Sequence, residues 1–163
     1  MKVALSPIEM MRRAWRLYPD REAVVDGDVR LTYDELFTRS DRWSALLQRR
    51  YGIGHGDRVA LISPNSHTAL AAYYAVPRIG AVLVPVNFRL AADDFAYIVR
   101  HSGARVVFVH PDLASAVESI RGEVRREGSS TLPIISTLSP ARQEHVFVKF
   151  RSGAQRSESL NFH

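Results

Sequence analysis

The chain reads Arg78-Ile79-Gly80-Ala81-Val82-Leu83-Val84-Pro85-Val86-Asn87-Phe88-Arg89-Leu90 near its middle, an order that joins a helix end, a strand and a turn. Residues 81–86 form a continuous apolar run, which is typical of a parallel strand covered on both faces of its sheet. An Asn-Phe-Arg turn follows at the carboxyl end of this strand, where open α/β sheets place their ligands. This stretch therefore predicts an α/β fold and marks one edge of its sheet as the place to search for a site.

Other segments continue the same pattern. Buried strands are predicted at 59–62, 105–109 and 132–135, and helices at 66–79, 92–101 and 113–126. Helices that alternate with buried strands indicate a doubly wound, mostly parallel sheet with flanking helices.

The first fifty or so residues follow a different pattern. A helix is predicted at 8–17, and Asp26-Gly27-Asp28 between two apolar runs predicts an N-terminal β-hairpin, because glycine accepts a positive φ. Thr32 and Glu35 have the spacing of a capping box, so a second helix is expected to begin there and to end at Gly52. We interpret this motif as structural rather than catalytic.

Composition limits the class of protein. A length of 163 residues with 46% hydrophobic content favours one domain with its own core, and the absence of cysteine excludes disulfides and thiol catalysis. No stretch approaches the roughly 20 apolar residues that span a bilayer, and Pro7 interrupts the N-terminus before a signal-peptide region develops. The sequence therefore predicts no transmembrane segment and a cytoplasmic location.

The net charge of +5 is spread along the chain rather than concentrated. Arginines occur from Arg12 to Arg156, mostly between acidic residues on predicted helix faces, and no groove-reading motif accompanies them. We interpret them as solvated surface and expect no nucleic-acid partner.

Several local patterns resemble sites and have simpler structural explanations. The glycine-rich run 52–56 follows a helix and enters a strand, the reverse of a phosphate-binding loop, so a turn is predicted. The six histidines include no pair at metal-ligand spacing on one helix, so no metal site is expected. Asp93-Asp94 is expected to lie in the first turn of a helix, where the dipole favours negative charge. No catalytic residue is predicted.

Arg89 is the one residue that we place near a ligand, since it follows a strand end. The alternative is structural: Asn87 closes the turn through its own side chain, and Arg89 pairs with Asp93 or Asp94. The sequence leaves both interpretations open.

The chain resembles the AMP-forming acyl-CoA synthetases of the adenylate-forming ligase family. The resemblance covers residues 9–136 and rests on two motifs, Leu31-Thr32-Tyr33-Asp34-Glu35-Leu36 and the stretch quoted first. The runs Val86-Asn87-Phe88-Arg89-Leu90 and Phe95-Ala96-Tyr97-Ile98-Val99 look closest to the fatty-acyl and aryl-acid CoA ligase branches. The resemblance identifies residues 1–136 as a partial N-terminal domain and leaves residues 137–163 as a non-family tail, which we predict to be disordered.

By this resemblance, ATP and Mg²⁺ activate a fatty or other carboxylic acid as an acyl-adenylate, and the thiol of CoA then displaces AMP. It also implies that Arg89 meets the phosphorylated nucleotide end of CoA, a role that suits a permanently charged, forked donor. Ala91 departs from the family, where Ser or Thr caps the next helix, and its presence is expected to cost about 1 kcal/mol.

The family's Pro-Lys-Gly phosphate loop, later acidic ligands and adenylating lysine have no counterpart here, and the two lysines, Lys2 and Lys149, lie outside the matched motifs. We therefore expect an inactive N-terminal fragment that binds ATP, CoA and Mg²⁺ weakly, shortened by a frameshift, a gene disruption or a misplaced gene boundary. The alternative is a non-catalytic module whose exposed apolar surface binds a complementing chain or a second copy.

Overall fold

The computed structural model describes residues 6–120 and 133–136. The elements are α1 (Pro7–Leu17), β1 (Glu22–Asp26), β2 (Val29–Thr32), α2 (Tyr33–Tyr51), β3 (Arg58–Ile62), α3 (His67–Arg78), β4 (Val82–Val86), α4 (Ala92–Ser102), β5 (Val106–Val109), α5 (Ala114–Ser119) and β6 (Ile134–Ser136). From β3 to β5 the expected bounds agree with the observed ones to about one residue, which is the usual uncertainty of element ends.

Among the described residues, strand β3 lies inside a four-stranded parallel sheet. The strands follow the order β4-β3-β5-β6, and Leu61 of β3 lies opposite both Pro85 of β4 and Phe108 of β5. The chain thus passes from β3 to β4 at one edge of the sheet and then crosses to β5 on the other side of β3. This is the strand order of a doubly wound sheet. The predicted fold class is confirmed.

Successive residues of β3 face opposite sides of this sheet. Val59 and Leu61 pack with buried residues of α2 and α3, whereas Ala60 and Ile62 pack with buried residues of α4 and α5. Because helices cover both faces of the sheet, each residue of β3 has apolar neighbours on the side that it faces. The strand therefore does not alternate apolar with polar residues. This arrangement explains the continuous apolar runs of β3 and β5, whereas β4 leaves Val82 and Pro85 exposed, so its predicted coverage on both faces is only partial.

The predicted hairpin is also confirmed. Strands β1 and β2 pair antiparallel around Gly27, whose φ of 58° favours glycine. Its residue Val24 packs with Met11 of α1 and with Leu36 of α2 in a third apolar cluster. The hairpin is therefore held against the helices on one face of the main sheet.

Helix α2 begins with the reciprocal cap that its sequence predicts. The Glu35 N–H donates to Thr32 Oγ1 at 3.2 Å, and the Thr32 N–H donates to Glu35 Oε2 at 2.8 Å. The helix ends at Gly52, which has a left-handed backbone, as expected. Both hydrogen bonds of the cap join Thr32 and Glu35, which are three positions apart, so the local sequence is sufficient to specify them.

The region after β5 differs from its prediction. The expected helix at 113–126 begins as a 3₁₀ turn, Pro111–Leu113, and continues as α5, while residues 121–132 lie outside the described part. Strand β6 starts two residues later than expected, because Pro133 offers only its carbonyl, which accepts the Val107 N–H at 3.0 Å. The disordered tail and the domain boundary at 136 stay predictions, since residues 137–163 are likewise outside the described ranges.

Within residues 6–120 and 133–136, no helix is both long and apolar enough to cross a membrane. The cytoplasmic location stays a prediction.

Candidate functional site

A cavity of about 210 Å³ lies at the carboxyl ends of β3 and β4. It is lined by Leu61, Ser63, Asn65, Ala69, Tyr73, Pro85, Val86, Asn87 and Phe88. Two adjacent strands end here and their chains leave toward helices on opposite faces of the sheet, which opens a crevice between the two loops. The structure therefore places a cavity beside the turn that the sequence singled out.

One wall of the cavity is the segment 63–66 that joins β3 to α3. Ser66 begins the helix by accepting the Ala69 N–H through its hydroxyl at 3.1 Å, and the Ser63 hydroxyl donates to the Pro64 carbonyl at 2.8 Å. Asn65, between them, lines the cavity. These short contacts shape a tight strand-to-helix connection that presents polar atoms to the cavity.

The opposite wall is the Asn-Phe-Arg turn. Asn87 Oδ1 accepts the Arg89 N–H at 3.1 Å, and the Asn87 carbonyl accepts the Leu90 N–H at 3.3 Å. Asn87 therefore closes the turn through its side chain, as the structural alternative expected. This contact leaves Phe88 half-buried against the cavity and Arg89 exposed beside it.

Arg89 does not form the expected pair with Asp93 or Asp94. Its guanidinium carbon lies 5.1 Å from the centroid of the Phe88 ring, within the range of a cation–π contact, and it makes no salt bridge with a carboxylate of residues 6–120. Asp94 instead accepts the Ala91 N–H at 3.3 Å. The pairing half of the structural alternative is thus wrong, and Arg89 presents its charge to solvent next to the cavity.

The amino-terminal edge of the sheet carries the glycine-rich run that resembled a phosphate-binding loop. The run 52–56 turns between α2 and β3, where the Gly56 N–H donates to the Gly80 carbonyl at 2.9 Å, so the predicted turn is confirmed. Asp57 Oδ2 accepts the Gly54 N–H at 2.9 Å and an Arg105 N–H at 2.7 Å. The backbone hydrogen bond from Gly54, followed by the charge of Arg105, lowers the pKa of Asp57. This network is at the end of the strands remote from the cavity.

The sequence does not predict a contact between Asp26 and His67 near the cavity. Asp26 Oδ2, in the hairpin turn, lies 2.8 Å from the His67 backbone nitrogen and 2.7 Å from His67 Nδ1. The hydrogen bond from the backbone, and next that from the imidazole, lower the pKa of Asp26. Sequence spacing does not reveal a contact between residues 41 positions apart.

Sequence reasoning also missed three residues that line the cavity. Ser63 and Asn65 follow a buried strand, so the strand-end rule that selected Arg89 selects them equally well. Tyr73 has no such signal, because it lies inside α3 and only the packing of that helix brings it to the cavity, with 47% of its surface exposed.

Comparison with known proteins assigns the fold to a family. A family model described as AMP-binding enzyme matches residues 11–158. The chain belongs to the AMP-binding enzyme family. The resemblance that the sequence motifs predicted is therefore confirmed.

Two curated relatives and one solved structure illustrate the family likeness. The chain is 40% identical over 121 residues to the long-chain-fatty-acid–CoA ligase of Thermus thermophilus, a match that covers 72% of the chain and 22% of that relative. It is 36% identical over 124 residues to the long-chain-fatty-acid–CoA ligase FadD13 of Mycobacterium tuberculosis, covering 75% and 24%. The solved Mycobacterium tuberculosis fatty acyl CoA synthetase superposes with a TM-score of 0.72 at 34% identity, covering 83% of this chain and 27% of that one.

The chain thus spans less than a quarter of the length of these two curated relatives. Its candidate site is the edge where the cavity and Arg89 meet. Within residues 6–120 and 133–136, no three His, Asp or Glu side chains group closely enough to hold a metal ion.

Proposed function

We propose that this chain is the first α/β lobe of an ATP-dependent, AMP-forming ligase that joins a fatty acid or a related carboxylic acid to CoA. Support comes from the names of the relatives, which are long-chain-fatty-acid–CoA ligases, and from the shared fold. In such a ligase ATP and Mg²⁺ activate the acid. The described residues offer neither a group of metal ligands nor a phosphate loop, so they do not fit Mg²⁺ or the phosphates of ATP. We therefore assign no step that involves ATP or Mg²⁺ to this lobe.

The observation that carries a binding role is the state of Arg89. Its guanidinium is exposed at a strand end, rests near the Phe88 ring and has no carboxylate partner in the described part of the chain. A guanidinium presents several N–H donors in a fork that matches phosphate oxygens, and its charge persists at every relevant pH. We therefore assign Arg89 to the phosphorylated nucleotide end of CoA, with the cavity beside it receiving part of the nucleotide.

Binding of adenosine 3′,5′-bisphosphate, which reproduces that end of CoA, tests this assignment. Arg89→Gln is expected to weaken binding about tenfold relative to the wild-type chain, because one charge-assisted contact is lost. Arg89→Lys keeps the charge without the fork and should fall between the two. Arg100→Gln removes an exposed arginine from the far end of α4 and serves as the matched control. Equal affinities for the wild type and Arg89→Gln would contradict the assignment.

Ligase activity of the chain by itself is tested separately from binding. The 163 residues lack the Pro-Lys-Gly loop, and transfer of an adenylyl group depends on positive charge already placed around the reacting phosphate. We expect the chain by itself to release no pyrophosphate when supplied with ATP, CoA and a fatty acid. Sustained release above a no-enzyme control would contradict this expectation.

A second candidate function, a non-catalytic complementing module, is favoured by exposed apolar side chains. The large ones are Met10, Leu17, Tyr18, Val25, Tyr73, Val82 and Tyr97. Among the strands that the structure describes, β4 also lies at the edge of the sheet, so part of its backbone lacks a strand neighbour there. Co-expression with the later portion of the Thermus thermophilus relative tests the idea: ligase activity that needs both pieces would support it. Failure of the two pieces to co-purify would count against it.

A further inference from the structure

Asp26 links the N-terminal hairpin to the start of helix α3. One carboxylate oxygen, Oδ2, accepts two hydrogen bonds from His67, from the backbone N–H at 2.8 Å and from Nδ1 at 2.7 Å. The His67 side chain is only 5% exposed, whereas that of Asp26 is 36% exposed. A partly exposed carboxylate thus makes both of these hydrogen bonds with one buried residue.

This contact adds to the cap of α3. A helix begins with N–H groups that have no partner within the helix, and Ser66 accepts only one of them, from Ala69 at 3.1 Å. Asp26 accepts another, from His67, the first residue of the helix. The negative charge also lies at the favourable end of the helix dipole. One acceptor is therefore local, and the other comes from a separate element.

The same contact bears on the cavity wall. Ser63 and Asn65 line the cavity just before His67, and Ala69 lines it just after. Displacing the backbone at His67 moves the anchor of the segment 63–66, since Ser66 and His67 are covalent neighbours. The position of this wall thus depends on a residue that does not itself line the cavity.

We propose that Asp26 is a positioning residue, a clasp that fixes the segment 63–66 and so keeps the cavity in the shape that receives a phosphorylated nucleotide. The part that concerns binding rests on the proposed function of the cavity. The hairpin does not depend on the clasp for its own pairing, because four register pairs and an ion pair between Arg30 and Glu22 at 2.8 Å hold it. Removing the Asp26 carboxylate is therefore expected to loosen the start of α3 while the hairpin persists.

Amide hydrogen exchange on the complete 163-residue chain tests the clasp directly. In Asp26→Ala, exchange at residues 66–70 is expected to accelerate about tenfold or more, because a hydrogen bond to a charged acceptor is lost. Asp26→Asn keeps a neutral acceptor oxygen and should show a smaller acceleration. Asp28→Asn, an exposed aspartate in the same turn, is the matched control and should leave these amides unchanged. The amides at the start of α4 should exchange at the wild-type rate in every variant.

Titration with adenosine 3′,5′-bisphosphate then separates the two claims. If the clasp and the proposed function both hold, Asp26→Ala binds several-fold more weakly while its circular dichroism stays that of the wild type. If the wild type binds no nucleotide, the proposed function fails and the exchange rates alone decide the clasp. Unchanged exchange at residues 66–70 in a folded Asp26→Ala variant overturns it. If Asp26→Ala is globally unfolded, Asp26→Asn tests the clasp instead. Its amide exchange at residues 66–70 must then be faster than that of Asp28→Asn, and equal rates overturn the clasp.

Discussion

Trp15 lies flat against Phe37, with ring centroids 4.2 Å apart and planes inclined by 5°. The Arg78 guanidinium carbon lies 4.3 Å from the centroid of the same Phe37 ring, and its Nη2 pairs with Asp41 at 2.9 Å. One aromatic ring of α2 therefore contacts both α1 and α3. These contacts hold together the layer of helices against which the hairpin packs.

Replacement of Phe37 tests that role. Phe37→Ala is expected to lower the free energy of unfolding by about 2 kcal/mol, because a half-buried ring, its stacking partner and its cation–π contact are all lost. Tyr97→Ala is the matched control, since Tyr97 also stacks on a neighbour, His101, but is 58% exposed. Urea unfolding should show a change within about 0.5 kcal/mol for the control. Equal losses for the two variants would contradict the prediction.

Ala91 offers a way to stabilise the chain. It occupies the N-cap of α4 without a side-chain oxygen, so only Asp94 contributes to the cap, by accepting the Ala91 N–H at 3.3 Å. Ala91→Ser supplies the missing acceptor for the Asp94 N–H and is expected to raise the free energy of unfolding by about 1 kcal/mol. Ala92→Ser, one residue later, places a hydroxyl inside the first turn and should not stabilise. A urea midpoint that stays unchanged in Ala91→Ser would count against a completed cap.

Gly80 is expected to tolerate no side chain. Its φ is 75°, and a Cβ added there would lie 2.9 Å from His55 Cδ2 and 3.4 Å from His55 Cα. Gly27 has a similar φ of 58° but nothing within 4 Å of an added Cβ, so it isolates the backbone cost. We expect Gly27→Ala to cost about 1 kcal/mol and Gly80→Ala about 1 kcal/mol or more beyond that. Thermal unfolding of the two variants measures the difference, and equal costs would show that His55 moves aside.

Asp57 predicts how stability changes in acid. The Gly54 N–H and the Arg105 charge hold its folded-state pKa below the ordinary value of 3.8. Its contribution to stability is therefore complete above that ordinary value and is lost as the pH falls through the folded-state value. Urea unfolding from about pH 6 down to about pH 3 should show a steeper loss in the wild type than in Asp57→Asn.

Arg105→Gln is the matched variant for this measurement. It removes one partner of Asp57 and leaves the Gly54 donor in place, so part of the acid dependence should remain. The same acid dependence in the wild type and Asp57→Asn would show that Asp57 is not responsible.

The sequence predicts part of the candidate site, and it predicts best the contacts between residues that are close along the chain. Arg89 follows the end of β4, as the sequence predicts, and closure of the turn by Asn87, one of the two interpretations that the sequence leaves open, is confirmed by a contact that spans two residues. The alternative pairing of Arg89 with Asp93 or Asp94 is wrong: Arg89 lies near the Phe88 ring, and Asp94 accepts the Ala91 N–H. Whether Arg89 meets CoA stays a prediction.

Local chemistry accounts for what could be inferred from the chain alone. The reciprocal cap of Thr32 with Glu35, the hairpin turn at Gly27 and the continuous apolar strands each depend on residues a few positions apart, so their order along the chain specifies them. The family likeness follows from the same kind of information, because its motifs are short and contiguous.

Tertiary structure alone decided which distant segments meet. The apolar patterns of the strands resemble one another, so no single strand specifies its neighbours in the order β4-β3-β5-β6. That order brings Ser63 and Phe88 to one cavity, and the docking of the hairpin brings Asp26 to His67. Such contacts depend on the packed core, because the free energy that holds distant segments together comes from the burial of apolar surface rather than from neighbouring residues.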